Sequence, residues 1–246
     1  MRIIDSHTHL GQSRVTDSNY TEELWLKTME RYGLSGIMSY SLPNAYPDPF
    51  TVHNRIHEFS KAHPGKIWGV VDVNPCLDRD EYEKEVTRCI KELGFVAIKL
   101  HPYYDGCYPL SKHCDKVFEI ASALDKPVIV HTGPGVPVAL PSLMMTRAKQ
   151  FPTVKIVLAH AGAHIYCDEA VIAAEHYENI YLEPSWCGAH QIQAMINKCG
   201  IERVLYGSDL PNNVGPELAK VEAINLTGRE AELYLSGNAI NLYGLK

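Results

Sequence analysis

Several common signatures are missing from this chain of 246 residues. It has no stretch of about 18 apolar residues that could span a bilayer. Its first residues, MRIIDSHTHL, contain no apolar signal core, so a cytoplasmic location is expected. Basic runs are absent and the formal net charge is −6, which argues against nucleic acid or an anionic membrane as a partner. The seven cysteines are odd in number and include no CxxC pair, so neither a disulfide framework nor a cysteine zinc module is indicated. They read as free thiols in a reducing compartment. No GxGxxG follows an apolar run, and the glycine-rich HTGPG lacks the P-loop lysine, which leaves nucleotide binding without support. Linkers, repeats and low-complexity segments are also lacking, and residues 1–246 read as one domain.

What is present is a rhythm. Eight short apolar runs recur, RIID (2–5), GIMSY (36–40), IWGVVDV (67–73), FVAIKL (95–100), PVIVH (127–131), VKIVLAH (154–160), IYLE (180–183) and RVLYG (203–207). Several are apolar throughout, as parallel strands covered on both faces are. Amphipathic stretches separate them. Thr21 and Gly33 bracket one helix, and Asp78 to Gly94 opens acidic and closes basic, as the helix dipole favours. Further helices are expected over 54–63, 111–126, 141–150, 168–176, 190–198 and 214–223. This alternation predicts an α/β fold, a somewhat distorted (β/α)8 TIM barrel with extra C-terminal helices closing its side or bottom. A doubly wound open sheet is the alternative.

In such a barrel, chemistry gathers at the C-terminal ends of the strands. Those ends carry Asp5, His7 and His9, then Lys99 and His101, His131, His160, Glu183 and, just past the last run, Asp209. His7 and His9 stand at i and i+2 and share a strand face. Five imidazoles crowded at one mouth repel when protonated and lose hydration when buried, and a divalent cation offsets both costs. The expected ligands are His7, His9, His131 and Asp209, around one ion, with zinc preferred and manganese, iron or cobalt as alternatives. Asp209 doubles as general base, and His160 serves as acid, electrophile or orienting group.

These residues carry a family resemblance. The ordered set DSHTHLG, IKLHP, VHTG, LAHAG, YGSDLP and GNAINLYGL resembles the amidohydrolase superfamily over nearly the whole chain. Within it, the chain resembles the amidohydrolase 2 branch of metal-dependent hydrolases, lactonases and decarboxylases related to aminocarboxymuconate semialdehyde decarboxylase. The resemblance implies a distorted TIM barrel, metal ligands matching His7, His9, His131 and Asp209, and a functional histidine matching His160. Some members use a carboxylated lysine to bridge two metals, so Lys99 is a candidate for that role. The other reading pairs Lys99 with a carboxylate such as Asp5 or Glu183.

The remaining candidates are supporting parts. Asp5 either orients a ligand histidine or caps the turn after the first strand, and Glu183 either orients a ligand histidine or pairs with Lys99. His101, Lys99 and Trp186 are assigned to substrate, with Tyr46, Tyr103 and Tyr104 on the rim. His53, His57, His63, His113, His176 and His190 read as surface residues, while His164 could approach the site. Arg14 and Arg147 are the arginines considered for a substrate carboxylate. The leading function is hydrolysis of an amide, ester or lactone of a small molecule by a metal-activated water. The alternative is non-oxidative decarboxylation of an unsaturated or aromatic acid, which the chain's short length disfavours. A metal-stabilised scaffold or ligand-binding protein without turnover comes third. A homodimer is also expected.

Overall fold

The computed structural model describes residues 1–43, 45–135 and 137–246, with the side chain of Tyr46 outside the description. That rim candidate therefore lies outside the described residues.

In chain order the strands are β1 (Ile4–Ser13), β2 (Asn19–Tyr20), β3 (Gly36–Ser41), β4 (Ala45–Tyr46), β5 (Ile67–Asp72), β6 (Ala97–Leu100), β7 (Val128–His131), β8 (Ile156–Ala159) and β9 (Ile180–Glu183). The helices are α1 (Glu22–Tyr32), α2 (Pro49–Ala62), α3 (Arg79–Lys91), α4 (Pro102–Asp105), α5 (Lys112–Leu124), α6 (Leu143–Gln150), α7 (Cys167–His176), α8 (Ala189–Cys199), α9 (Val214–Ala223), α10 (Gly228–Glu232) and α11 (Asn238–Tyr243). Helix α1 shows why such segments are helical. The Thr21 side chain accepts from Leu24 N–H at the start, and Gly33 takes the left-handed conformation (φ 67°) at the end. Trp25 and Met29, one turn apart, face the sheet.

Strands β1, β3, β5, β6, β7, β8 and β9 pair in parallel in that order, and β2 and β4 add short antiparallel pairs to the far half of β1. The result is a curled sheet with helices outside it, a TIM-barrel-like α/β fold. The eighth predicted run is not a regular strand. It meets the sheet through isolated bridges, Val204 to Leu182 and Asp209 to Thr8. Backbone groups there are drawn elsewhere: Tyr206 N–H donates to the Tyr234 carbonyl and Ser208 N–H to Asp5 Oδ1. Gly207 passes so close to Glu183 that a Cβ would lie 2.6 Å from Oε1. The chain here is shaped to reach Asp5 and Glu183, at the expense of a ladder.

Two apolar clusters flank the sheet. The inner one joins Ile4, Met38, Val70, Ala97, Ile129, Val157 and Leu205 to Ala239, Tyr243 and Leu245. Ile4 and Ala97 open their strands, so the C-terminal helix seals the end of the curl opposite the histidines. His53, expected at the surface, is fully buried on α2, where it donates to Glu85 Oε1 (2.8 Å) and accepts from Asp72 N–H (3.1 Å). Among the described residues, no helix is long and apolar enough to cross a membrane.

Candidate metal centre

Strand β1 starts the site. A register shift between Asp5 and Thr8 breaks its pairing with β3, and His7 and His9 fall at and beyond that irregularity. Both rings reach one carboxylate oxygen. Asp209 Oδ1 is 3.1 Å from His9 Nε2 and 3.6 Å from His7 Nε2. Trp25 holds the strand from outside, its Nε1–H donating to the His9 carbonyl at 2.7 Å.

The far nitrogens explain the orientation. His7 Nδ1 donates to Glu183 Oε2 (2.6 Å), and His9 Nδ1 donates to the Ser41 carbonyl (2.9 Å). His160 Nδ1 is 2.8 Å from Ser185 Oγ, whose hydroxyl donates to Glu183 Oε2 (3.1 Å), so the imidazole is the donor to Ser185. With each Nδ1 carrying the proton, each Nε2 keeps a lone pair. His7, His160 and Asp209 bring ligand atoms within 4.8 Å of one another. His131 differs in tautomer, with Nε2–H donating to the Pro134 carbonyl (3.2 Å) and Nδ1 buried without any partner. The rings form a chain: His7 lies 4.8 Å from His160, His160 4.9 Å from His131, and His131 stacks 4.1 Å from His101.

Burial sets the protonation. It holds His7, His160 and His101 well below the ordinary imidazole range, and takes His131 to about 4. Burial pushes Asp209 up, but the facing His9, His160 and His7 outweigh it and keep the carboxyl well below its ordinary range. Neutral imidazoles around an ionised carboxylate are the donor set a divalent cation takes. The convergence of His7, His160 and Asp209 fits such an ion, while His131, expected among the ligands, lies outside that 4.8 Å group with its Nδ1 unpartnered.

Around these groups stands a supporting ring. Asp5 bonds no imidazole; it accepts from His7 N–H, Ser208 N–H and the Ser208 hydroxyl, tying β1 to the turn that carries Asp209. Asp209 itself has φ 71°, a strained conformation held by its N–H donating to the His7 carbonyl (2.7 Å). Trp186, assigned to substrate, donates from Nε1 to Asp209 Oδ2 (2.9 Å), a clamp not anticipated from sequence. Lys99 is buried at the mouth. It meets neither Asp5 nor Glu183 but lies 3.3 Å from His7 Nε2, with its ammonium over the Tyr40 ring. His101 caps α4, its Nδ1 accepting from Tyr104 N–H (3.4 Å), which leaves an Nε2–H free to donate. His164 is tied to Gln191 on α8.

Beside the centre opens a cavity of about 290 Å³, lined by His101, Ser41, Asp72, Asn74, Asp105 and Arg14 among others. Arg147 is not part of it; it is buried against Asp115 and the carbonyls of Pro109 and Ser111.

The amidohydrolase family model matches residues 4–245. The chain belongs to the amidohydrolase family. Among curated proteins none matches it. Among solved structures it is similar to 5-carboxyvanillate decarboxylase from Sphingomonas paucimobilis, with a TM-score of 0.80 and 13% identity over 100% of this chain and 99% of that one. It is also similar to dihydroxybenzoic acid decarboxylase from Polaromonas sp. JS666, solved with manganese and 2-nitroresorcinol (TM-score 0.77, 17% identity, 99% and 97% covered). A probable 2-pyrone-4,6-dicarboxylic acid hydrolase from Acinetobacter baumannii follows (TM-score 0.73, 14% identity, 99% and 100% covered). At these identities the likeness carries the fold alone. Of these three structures the one from Polaromonas names manganese, and none names zinc.

Proposed function

We propose that this amidohydrolase is a metal-dependent, non-oxidative decarboxylase of a small unsaturated or aromatic carboxylic acid, built on a distorted (β/α)8 barrel. The observation that carries the reading is the convergence of imidazole lone pairs on Asp209, with a buried ammonium and an open cavity beside it. Two of the three similar structures described above are decarboxylases. The preference for a hydrolase, which leaned on chain length, loses its ground because the likeness to 5-carboxyvanillate decarboxylase spans 100% of this chain and 99% of that one.

His7, His9, His160, His131 and Asp209 would hold the ion, with Glu183 and Ser185 fixing the tautomers of His7 and His160. A bound divalent cation, manganese or zinc, supplies a Lewis-acid anchor for substrate oxygens. Lys99 and the Nε2–H of His101 are placed to hold the carboxylate end by charge and hydrogen bond. Asp209 is the group able to hold and pass the proton that replaces carbon dioxide on the substrate carbon. The overall change is R–CO₂⁻ plus H⁺ to R–H plus CO₂. Trp186 fixes the second oxygen of Asp209 and limits where that proton is presented.

The fold shared with a pyrone-dicarboxylic acid hydrolase supports a second reading, hydrolysis at the same residues. One assay separates them. Manganese-loaded protein is given 5-carboxyvanillate, dihydroxybenzoates and 2-pyrone-4,6-dicarboxylate, and carbon dioxide and net acid are both followed. Carbon dioxide from the aromatic acids supports the proposal; ring opening of the pyrone without it supports hydrolysis.

A further inference from the structure

One acid at the mouth, Asp72, feels the charge of Lys99 but hydrogen-bonds to no residue of the centre described above. Asp72 ends β5 and is the register partner of Lys99 on β6, so the two side chains point the same way, into the curl. It is 6% exposed and lines the cavity next to His101. The Ser41 hydroxyl engages its carboxylate, yet Oδ2 is buried with no hydrogen-bond partner. Buried carboxylate oxygens are rarely left so, because an unmet acceptor costs desolvation without return.

The position is also held with unusual care. Asp72 N–H donates to His53 Nε2, His53 Nδ1 donates to Glu85, and Arg88 grips both oxygens of Glu85 at 2.7 and 2.8 Å. This polar line runs through the apolar layer between α2, α3 and the sheet, and it ends at the cavity wall. Asp105 lies on the same wall, its Oδ2 accepting from His101 N–H. Across the cavity Arg14 donates to the Pro47 carbonyl beside Asp48. The wall near Asp72 therefore offers acceptors.

We propose that Asp72 Oδ2 is a substrate-recognition acceptor, and that the ligand of this cavity carries a hydroxyl or amine donor on the part remote from the metal centre. The inference rests on the carboxylic-acid reading for the other end of the ligand. A site built to accept a hydrogen bond discriminates against the analogue that lacks the donor, since its own buried oxygen is then left unmet.

The test is binding by the full manganese-loaded chain, measured by calorimetry. The probes are the positional isomers of hydroxybenzoate, the matching methylbenzoates, and resorcinol as a probe without a carboxylate. At least one hydroxybenzoate is expected to bind about tenfold or more tighter than its methyl counterpart. Asp72→Leu, checked for an unchanged melting temperature, is expected to abolish that preference and leave methylbenzoate affinity as it was. Equal affinity of every hydroxyl and methyl pair in the unmutated protein overturns the inference, and that comparison needs no variant to fold. A preference that survives Asp72→Leu overturns it too. If neither class of acid binds but resorcinol binds in an Asp72-dependent way, the inference stands and the carboxylic-acid reading falls. If no probe binds, both fall.

Discussion

Among the described residues two groups bring histidine and carboxylate together closely enough to hold a metal: His7, His160 and Asp209 at the mouth, and His53, Glu85 and Cys89 between α2 and α3. Distance does not distinguish them; hydrogen-bond accounting does. At the mouth His7, His9 and His160 each spend Nδ1 on a neighbour and keep the lone pair of Nε2. His53 spends both, donating through Nδ1 to Glu85 and accepting at Nε2 from Asp72 N–H. Glu85 in turn is gripped by Arg88, which supplies the positive charge an ion would bring. Lys99 approaches one nitrogen of the first group, His7 Nε2, but no cation bonds its Asp209, whereas Arg88 already grips the carboxylate of the second, so the first is the better candidate for a metal.

The largest effect that sharpens this contrast is expected from Asp209→Asn. Turnover should fall by about 10²–10⁴-fold, because the group that holds both ligand geometry and proton is lost. Cys89→Ala, in the other group, should leave kcat within about twofold in the same steady-state assay. Next comes Glu183→Gln, which disturbs the tautomers of His7 and His160 without touching a lone pair. Manganese affinity should drop by about 10–100-fold, read by competition with a fluorescent chelator. An unchanged affinity would mean that Glu183 does not orient the ligands.

His53→Ala should do the reverse, leaving metal content intact while lowering stability by about 1–3 kcal/mol in urea unfolding, since Glu85 and Asp72 N–H lose a buried partner. The smallest effect is a pH dependence. Burial raises Glu85, but His53, Arg88 and Cys89 outweigh it and bring the carboxyl from 4.5 to about 2. Its folded value lies below its unfolded one, so its contribution is fully present above pH 4.5 and is lost as pH falls toward 2. The urea midpoint of the unmutated protein should therefore fall more than that of Glu85→Gln between about pH 6 and about pH 3. Parallel curves would show that Glu85 is not depressed.

The histidines at the mouth were legible because strand periodicity and position suffice to place them: HTH on one strand face, and single histidines at the ends of β7 and β8. The eighth run reads as a strand because its apolar residues alternate between the two clusters, Leu205 in the inner one and Val204 and Tyr206 in the outer, while its backbone groups answer to Tyr234 and Asp5, which no pattern in 203–207 reveals. Trp186 was placed near the mouth, but its bond to Asp209 depends on a left-handed loop residue (φ 68°) that sequence does not specify. His53 could have been found. With Ile56 and Phe59 it falls on the i, i+3 stripe that α2 buries. Asp72 carries a signal of the same kind as Asp5, an acid near the end of an apolar run, IWGVVDV. Hydrolase and decarboxylase were not separable, because both chemistries draw on the same side chains.

The central claim is that separated imidazoles meet Asp209 around one divalent ion. It is tested most directly by counting manganese per chain, by plasma mass spectrometry after dialysis, in the unmutated protein and in His7→Ala. The account predicts about one ion per chain, lost in the variant while the fold persists. No ion in either protein, or the same ion content in both, would contradict it.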